Sequence, residues 1–268
     1  QRAWGLPIPV FYGQDGTALL TERSVRVVAD KVKEHGSDYW FTASVDNLLD
    51  GYDPQTDPQA PRVFTKDSIR HLCKGDDILD VWFDSGSSHE GVLGDHPELQ
   101  WPYTVYLEGS DQYRGWFHSS LLVGLGTRDA APYRQVITHG FVVDESGRKM
   151  SKSLGNTIDP QAVIKQSGAE VLRLWVAMVD YREEVRIGQQ ILDRMVEAYR
   201  KIRNTLRILV ANLYDFDPAA DARPLDRLDE VDRYALARYG EVAARVLRAY
   251  DRYEFPTIVH TLNNYLTV

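Results

Sequence analysis

Apolar side chains recur at intervals of three and four residues in two parts of the chain. Four of them between residues 25 and 32 share one face, which predicts an amphipathic helix with Thr21 or Ser24 as its cap and Gly36 as its end. The same spacing recurs through most of residues 191–268 and predicts three helices there. We expect these helices to pack as an antiparallel bundle.

Short runs rich in Val, Ile and aromatic residues lie between the two helical parts and predict β-strands. The clearest are residues 78–83, 104–109 and 135–143, and a helix is expected between the last two, at about residues 113–125. A strand, a helix and a strand within some forty residues predict parallel strands, whose carboxyl ends are the usual place for a ligand. The segment from Trp4 to Tyr12 contains two prolines, which favours an edge strand or an extended entry segment.

Prolines mark two further segments. Residues 51–62 contain three prolines and two aspartates, which predicts a surface loop without chemistry. The pair Asp217-Pro218 is expected to end the first long helix. The predicted fold class is therefore α/β followed by all-α.

Composition narrows the class of protein. The 268 residues are 43% hydrophobic and 11% aromatic, enough to bury a sizeable core. The single cysteine, Cys73, excludes an internal disulfide and a cysteine-cluster zinc site, and it fits a reducing compartment such as the cytoplasm. Because no apolar run approaches the roughly eighteen residues of a membrane span, we expect no membrane partner.

Charge is distributed unevenly. The net charge of −8 argues against a general nucleic-acid coat. Residues 189–268 contain twelve basic and twelve acidic side chains, so the deficit lies in residues 1–188 and any RNA contact must be local. The chain begins with Gln1 in the middle of a motif and closes inside a helical pattern, so we expect it to be a piece of a longer protein.

The most informative stretch is residues 147–156, Gly-Arg-Lys-Met-Ser-Lys-Ser-Leu-Gly-Asn. Lys149 and Lys152 are bounded by two glycines and alternate with serines, which predicts a cationic loop for a polyphosphate. A solvated basic hairpin is the alternative for an arbitrary run of this composition.

A second stretch, residues 106–117, reads Tyr-Leu-Glu-Gly-Ser-Asp-Gln-Tyr-Arg-Gly-Trp-Phe. It places an acid, a glycine and two polar residues at the end of a strand, followed by a helix carrying Trp116. This arrangement indicates a small-molecule site, and an ordinary turn with Asp111 as the helix cap is the alternative.

Together these stretches resemble class I aminoacyl-tRNA synthetases, and the isoleucine-specific branch most closely. The resemblance covers nearly the whole chain. It implies that residues 1–187 are the C-terminal portion of a Rossmann-like nucleotide-binding domain and that residues 188–268 begin a helical anticodon-binding domain. It also implies a ligase that uses ATP with Mg²⁺ to activate isoleucine and then transfers it to tRNA(Ile).

The resemblance also assigns roles to particular residues. Lys152, assisted by Lys149, would neutralise the ATP phosphates during catalysis. Three further residues would contribute to the ATP site, and six would bind the aminoacyl-adenylate, with the two tryptophans as the walls of an apolar slot. The ATP residues are Ser151, His139 and Gly140, and the adenylate residues are Glu108, Gly109, Asp111, Gln112, Trp116 and Trp82.

Three arginines on one face of the first long helix, Arg200, Arg203 and Arg207, are candidates for tRNA contact, with a solvated face as the alternative. No metal-binding residues are predicted, and the full-length enzyme is expected to be a cytoplasmic monomer. The class's other ATP-binding signature, His-Ile-Gly-His, does not occur in these 268 residues, so we expect this chain alone to be inactive.

Two alternatives stay open, and two others are excluded by the residues. A valine- or leucine-specific synthetase shares the lysine loop, and a noncatalytic tRNA-binding module would explain only the helical part. A serine acyl-enzyme would need its serine at a helix start, whereas Ser146 lies in a polar turn. A P-loop enzyme fails because its glycine-lysine motif is missing from the sequence.

Overall fold

A computed structural model of the chain describes residues 5–267, which divide into two units. One unit holds the described residues up to Tyr106 together with Asp111–Val136, and the other holds Leu107–Ser110 and the residues from Ile137 onward. Trp4, the first residue of the predicted edge strand, and Val268 lie outside the described residues. The predicted domain boundary between residues 187 and 188 stays a prediction.

The first unit begins with a small antiparallel sheet. Its strands are β1 (Phe11–Tyr12), β2 (Ala18–Leu19) and β3 (Cys73–Lys74), in the order β2-β1-β3. Of the two alternatives for this segment, the edge strand is wrong because β1 lies in the middle, and the extended entry segment is the one found. The prolines precede it, in an extended segment where Pro7 forms an isolated bridge with Ile78.

The predicted first helix is confirmed as α1, Glu22–His35. The Thr21 hydroxyl accepts a hydrogen bond from the Ser24 amide, and the Ser24 hydroxyl accepts one from the Thr21 amide, so the two residues form a capping box. Val28 of α1 packs into a core with Phe11, Trp40 and Leu48. The short helices α2 (Tyr39–Thr42) and α3 (Val45–Leu48) follow.

Residues 51–62 are more than a surface loop. Asp57 is only 5% exposed, and its Oδ2 accepts hydrogen bonds from the Thr21 hydroxyl (2.6 Å) and the Tyr52 hydroxyl (2.8 Å). The prolines and aspartates correctly predicted irregular backbone. The burial of Asp57 could not be predicted, because a single inward-facing aspartate in a loop leaves no periodic pattern in the sequence. This segment therefore closes the core beside the start of α1.

The predicted strand at residues 78–83 is wrong in its second half. Extended backbone reaches Leu79, whose amide donates to the Leu6 carbonyl, and helix α4 (Val81–Gly86) then begins. Asp80 caps this helix, since its Oδ1 accepts from the Trp82 amide at 2.9 Å. A six-residue apolar run does not by itself separate strand from helix.

The strand–helix–strand prediction is confirmed in its order of elements. After α5 (Ser88–Asp95) come β4 (Tyr103–Gly109), α6 (Trp116–Arg128) and β5 (Tyr133–His139), and β4 and β5 are neighbours in a two-stranded sheet. The last predicted strand is broken at Gly140, because a separate strand, β6 (Val142–Val143), pairs in parallel with β7 (Val185–Arg186).

The rest of the second unit is helical, as predicted. Val171, Trp175, Leu192 and Met195 form its core with residues of β7. The long helix ends at Ala211, earlier than predicted, and Pro218 instead begins a short helix. The helices are α7 (Pro160–Ser167), α8 (Ala169–Met178), α9 (Gln189–Ala211), α10 (Pro218–Asp221), α11 (Glu230–Asp251) and α12 (Phe255–Thr267), and α12 contacts α8, α9 and α11.

Candidate nucleotide and amino-acid site

The lysine loop has a defined backbone. Ser151 caps a single 3₁₀ turn, Lys152–Leu154, by accepting the Leu154 amide at 3.3 Å. Gly147 (φ 77°) and Gly155 (φ 63°) adopt left-handed conformations at its two ends, where any other residue would be strained. The glycines noted in the sequence thus mark the two points at which the loop turns.

Two polar side chains, Asn156 and Asp144, hold this loop, and only Asn156 lies within residues 147–156. Asn156 Oδ1 accepts the Ser151 amide at 2.9 Å, and Asn156 Nδ2 donates to Asp144 Oδ2 at 2.9 Å. Asp144 Oδ1 in turn accepts the Ser146 and Arg148 amides. The Asn156 amide and the Arg148 backbone and guanidinium hold the pKa of Asp144 down to about 2.

Sequence analysis overlooked Asp144. The available signal was an aspartate at the end of an apolar strand, two residues before the Ser146-Gly147 turn, which is a common place for a side chain that accepts backbone amides. Through these hydrogen bonds Asp144 connects the end of β6 to the lysine loop.

The side chains of Lys149 and Lys152 take no part in this network. Both side chains are exposed, and neither ammonium has a hydrogen-bond or ion-pair partner among residues 5–267. The Ser151 hydroxyl lies 3.1 Å from that of Ser153. The loop therefore presents two unpaired positive charges on a backbone that other side chains hold in place.

The predicted adenine-side residues lie where β5 gives way to β6. His139 Nδ1 is 2.9 Å from the Gly140 carbonyl, so Nδ1 carries the proton of this contact. The Gly140 amide donates to the Tyr181 carbonyl at 2.8 Å, and a Cβ on Gly140 would lie 2.0 Å from the Glu183 carbonyl oxygen. Only glycine fits there.

Glu108 and Gly109 end β4. Gly109 is buried, whereas the Glu108 side chain is exposed, and its Oε2 accepts a hydrogen bond from the Gly109 amide at 3.3 Å. A weak contact of this kind leaves the carboxylate able to accept hydrogen bonds from a ligand.

In the first unit, Trp116 is held on one face and at its polar edge. Its ring stacks on Tyr106, with centroids 4.1 Å apart and planes 6° from parallel. Its indole nitrogen donates to the Ser85 carbonyl at 3.0 Å. The second face of the indole can therefore act as a rigid apolar wall.

Trp82 and Gln112 meet beside Gly115. A Cβ on Gly115 would lie 2.6 Å from Gln112 Oε1 and 2.9 Å from the Trp82 ring. Gln112 Oε1 accepts the Trp116 amide at 2.9 Å and so caps the start of α6. The structure thus brings Trp82, Gln112 and Trp116 together, while Asp111 lies exposed in the preceding 3₁₀ turn.

The predicted site residues thus form two groups, one in each unit. Trp82, Asp111, Gln112 and Trp116 belong to the first unit, and the remainder belong to the second. Within the part of the chain that the structure describes, no group of three or more His, Cys, Asp or Glu side chains could hold a metal ion. No helix among residues 5–267 is long and apolar enough to cross a membrane.

The arginine face of α9 is present. Arg200 pairs with Glu197 at 2.8 Å, and Arg203 and Arg207 are exposed without an ion-pair partner in the described range. A second basic surface, overlooked in the sequence, lines a cavity of about 700 Å³ between α11 and α12 with Arg238, Arg245 and Arg248.

Comparison with known proteins assigns the class. The model of the family "tRNA synthetases class I (I, L, M and V)" matches residues 1–188. Because the match covers more than half of the sequence, the chain belongs to the class I tRNA synthetases of this group.

Comparison with individual relatives is more specific. The chain is 49% identical, over its whole length, to the isoleucine–tRNA ligase of Geobacillus kaustophilus and 50% identical to that of Moorella thermoacetica. It spans 28% of the length of each of these relatives. The resemblance inferred from the two motifs is thereby confirmed.

Two solved structures share the fold. The leucyl-tRNA synthetase of Agrobacterium radiobacter K84, solved with tRNA and LeuAMS, matches 98% of this chain and 34% of its own, with a TM-score of 0.70 and 18% identity. The Mycobacterium tuberculosis methionyl-tRNA synthetase, solved with methionyl-adenylate, matches 70% of this chain and 38% of its own, with a TM-score of 0.55 and 19% identity. The predicted fold class is confirmed.

Proposed function

We propose that this chain is the part of an isoleucine–tRNA ligase that carries the lysine-loop half of the active site. The full-length protein would join isoleucine to ATP, release pyrophosphate and transfer the isoleucyl group from the adenylate to tRNA(Ile). The identity to isoleucine–tRNA ligases over the whole chain supports the choice of isoleucine.

The observation that carries the proposal is the pair of unpaired ammonium groups on a fixed loop. When the isoleucine carboxylate attacks the α-phosphorus, a new P–O bond forms and the bond to pyrophosphate breaks, so negative charge grows on the departing oxygens. Lys152, assisted by Lys149, would neutralise that charge, and Ser151 would donate a hydrogen bond. No nucleophile from the protein is needed, because the substrate carboxylate attacks directly.

The adenylate would be held at the ends of β4 and β5. The exposed carboxylate of Glu108 suits the ribose hydroxyls, and buried Gly109 allows the backbone to come close. His139 and Gly140 would support the adenine, with Gly140 fixed by its bond to Tyr181.

The amino acid would lie against Trp82 and Trp116. Gln112 already uses its carbonyl oxygen to cap α6, so its amide nitrogen is the group available to a ligand. Exposed Asp111 is therefore the better partner for the isoleucine ammonium. The two indoles would enclose the branched side chain.

Mg²⁺ and tRNA complete the proposal. The donor set of the described residues does not form a cage for a metal ion, and Mg²⁺ commonly enters sites of this kind on substrate phosphates. The Arg200, Arg203 and Arg207 face would contact the phosphates of tRNA(Ile), with Arg203 and Arg207 free to do so. We place the full-length enzyme in the cytoplasm as a monomer.

Amino-acid-dependent pyrophosphate exchange on the full-length protein tests this function. We expect isoleucine to support faster exchange than valine or leucine at equal concentration. A preference for valine or leucine would overturn the assignment to isoleucine. Robust exchange by this 268-residue chain alone would contradict its description as one half of the site.

A further inference from the structure

Asn156 connects the two ends of the lysine loop through one side chain. Its Oδ1 accepts the amide of Ser151 at 2.9 Å, and its Nδ2 donates to the carbonyl of Lys149 at 3.3 Å and to Asp144 Oδ2 at 2.9 Å. An amide side chain is suited to this position because it donates and accepts at once. A carboxylate of the same shape can only accept.

Asp144 attaches that amide to the rigid part of the unit. It is 8% exposed, and its two oxygens accept four hydrogen bonds, from the Ser146 amide, the Arg148 amide, the Arg148 guanidinium and the Asn156 amide. Asp144 directly follows β6, whose Val143 carbonyl accepts from the Ile187 amide. Ile187 is part of the buried core with Trp175 and Leu192.

The network includes none of the groups proposed to meet ATP phosphates through their charge. Lys149 contributes only its backbone carbonyl, and Lys152 contributes only backbone to its own 3₁₀ turn. The first half of the loop has support besides the network, because Met150 packs against the core and Lys149 forms an isolated bridge with Val143. At the far end, a Cβ on Gly155 would meet nothing within 4 Å. The side chains that position the loop are therefore separate from the side chains that would act on a ligand.

We propose that the Asp144–Asn156 pair is a latch that holds the lysine loop in the conformation that presents Lys149 and Lys152 to the triphosphate. Both are positioning residues, and the inference rests on the phosphate-binding role proposed for the loop. With the latch broken, residues 151–155 separate from the end of β6, while Met150 and the core of Trp175 and Leu192 stay in place. The cations are then still present but no longer fixed in place.

Exchange of the two side chains tests the latch. Asn156→Asp places two carboxylates at the 2.9 Å contact, where like charges repel. Asp144→Asn places two amide nitrogens there. The double variant Asp144→Asn/Asn156→Asp restores one donor and one acceptor with the same net charge as the native pair. Asn47→Asp, at an exposed position of α3, is the control for the change of charge alone.

The first readout is cleavage of the full-length protein by trypsin after Lys149 and Lys152, quantified by mass spectrometry in the absence of ligand. Each single variant should be cleaved about tenfold faster than the native protein, the range expected for loss of a hydrogen bond to a charged group. The double variant should be cleaved more slowly than either single variant, as coupling between the two positions requires. It does not regain the donor to the Lys149 carbonyl or the carboxylate beside the Arg148 guanidinium, so it should stay faster than native. Asn47→Asp should match the native rate.

The second readout is pyrophosphate exchange, in which the single variants should raise the KM for ATP or lower kcat while leaving the affinity for isoleucine unchanged. Native cleavage rates in both single variants, or a double variant cleaved as fast as the singles, would overturn the latch. Faster cleavage with unaltered exchange would overturn its positioning role. Cleavage does not depend on activity, so the latch and the proposed function can fail separately.

Discussion

The indole of Trp116 stacks on the phenol ring of Tyr106, with centroids 4.1 Å apart and planes 6° from parallel. Tyr106 is 2% exposed and belongs to β4, whereas Trp116 begins α6. The stack therefore fixes a side chain at the start of a helix against the middle of the strand that precedes it, and it occupies one face of the indole.

Substitution of Trp116 tests the proposed contact of the indole with isoleucine. Trp116→Leu keeps an apolar side chain but loses the stack and the bond to the Ser85 carbonyl, so we expect the KM for isoleucine to rise about tenfold or more while the KM for ATP changes little. Steady-state pyrophosphate exchange on the full-length protein gives both constants. Phe41→Leu, an exposed aromatic of α2, is the control, and equal effects from both variants would argue against a pocket role.

Substitution of Gly140 tests the close backbone approach between Gly140 and Glu183. Gly140→Ala would place a Cβ 2.0 Å from the Glu183 carbonyl oxygen, and we expect a loss of at least about 3 kcal/mol in the free energy of unfolding. Gly126→Ala is the matched control, since a Cβ there meets nothing within 4 Å inside helix α6, and it should stabilise by about 0.5–1 kcal/mol. Urea unfolding compares them, and equal stabilities would show that the close approach is absent.

How far the sequence predicted this structure depends on how local each signal was. The helix α1 with its end at Gly36, β4 and the long helices follow from residues within a few positions of one another, and all were predicted. Thr21 and Ser24 were predicted as alternative caps, and the structure uses both. Residues 78–83 were assigned to a strand because the apolar run outweighed the cap at Asp80. The break at Gly140 depends on Glu183, more than forty residues away, so no local pattern could reveal it.

The candidate site shows the same division. The lysines, Glu108 and the two tryptophans lie in recognisable runs, so their residue types and spacing indicated a ligand. Asp144 was missed because a buried aspartate that accepts backbone amides has the same one-letter pattern as a solvated turn. The surface on α11 and α12 was missed because its arginines are scattered among acidic residues along the chain.

The Thr21–Asp57–Tyr52 contact predicts a pH-dependent stability. Hydrogen bonds from Thr21 and Tyr52 outweigh burial and lower the pKa of Asp57, so its contribution is present above the carboxyl's unfolded pKa and is lost as pH falls through the folded one. Tyr52→Phe should cost about 1–3 kcal/mol at pH 7, because a buried carboxylate loses a donor. Urea unfolding at pH 7 and below pH 3 should show the difference shrinking in acid.

Burial and Asp57 also raise the pKa of Tyr52 to about 12. The folded state therefore holds this proton more tightly than the unfolded state does, and the contribution present below the unfolded pKa of about 10 is lost as pH rises towards 12. Burial also raises the pKa of Tyr103, Tyr106 and Tyr133, so absorbance of tyrosinate at alkaline pH should show several late-titrating groups, with one fewer in Tyr52→Phe. An unchanged titration curve would contradict the contact.

The arginine face of α9 predicts a salt-dependent interaction. Arg203→Glu/Arg207→Glu should weaken tRNA binding by the full-length protein and lower the slope of log K against log salt by about 2, one for each lost phosphate contact. Pyrophosphate exchange without tRNA should stay unchanged. Arg245→Glu/Arg248→Glu makes the same change of charge on the second basic surface. If this pair weakens tRNA binding and the α9 pair does not, the tRNA contact lies on the second basic surface instead.

Lys152→Ala in the full-length protein tests the central claim most directly, measured by isoleucine-dependent pyrophosphate exchange beside isoleucine binding. Lys165→Ala, at an exposed lysine of α7, is the control and should behave as the native protein does. Loss of a charge that acts on the departing pyrophosphate should lower the exchange rate by about 10²–10³-fold while isoleucine binds as before. An exchange rate equal to that of the native protein would contradict the role of the lysine loop.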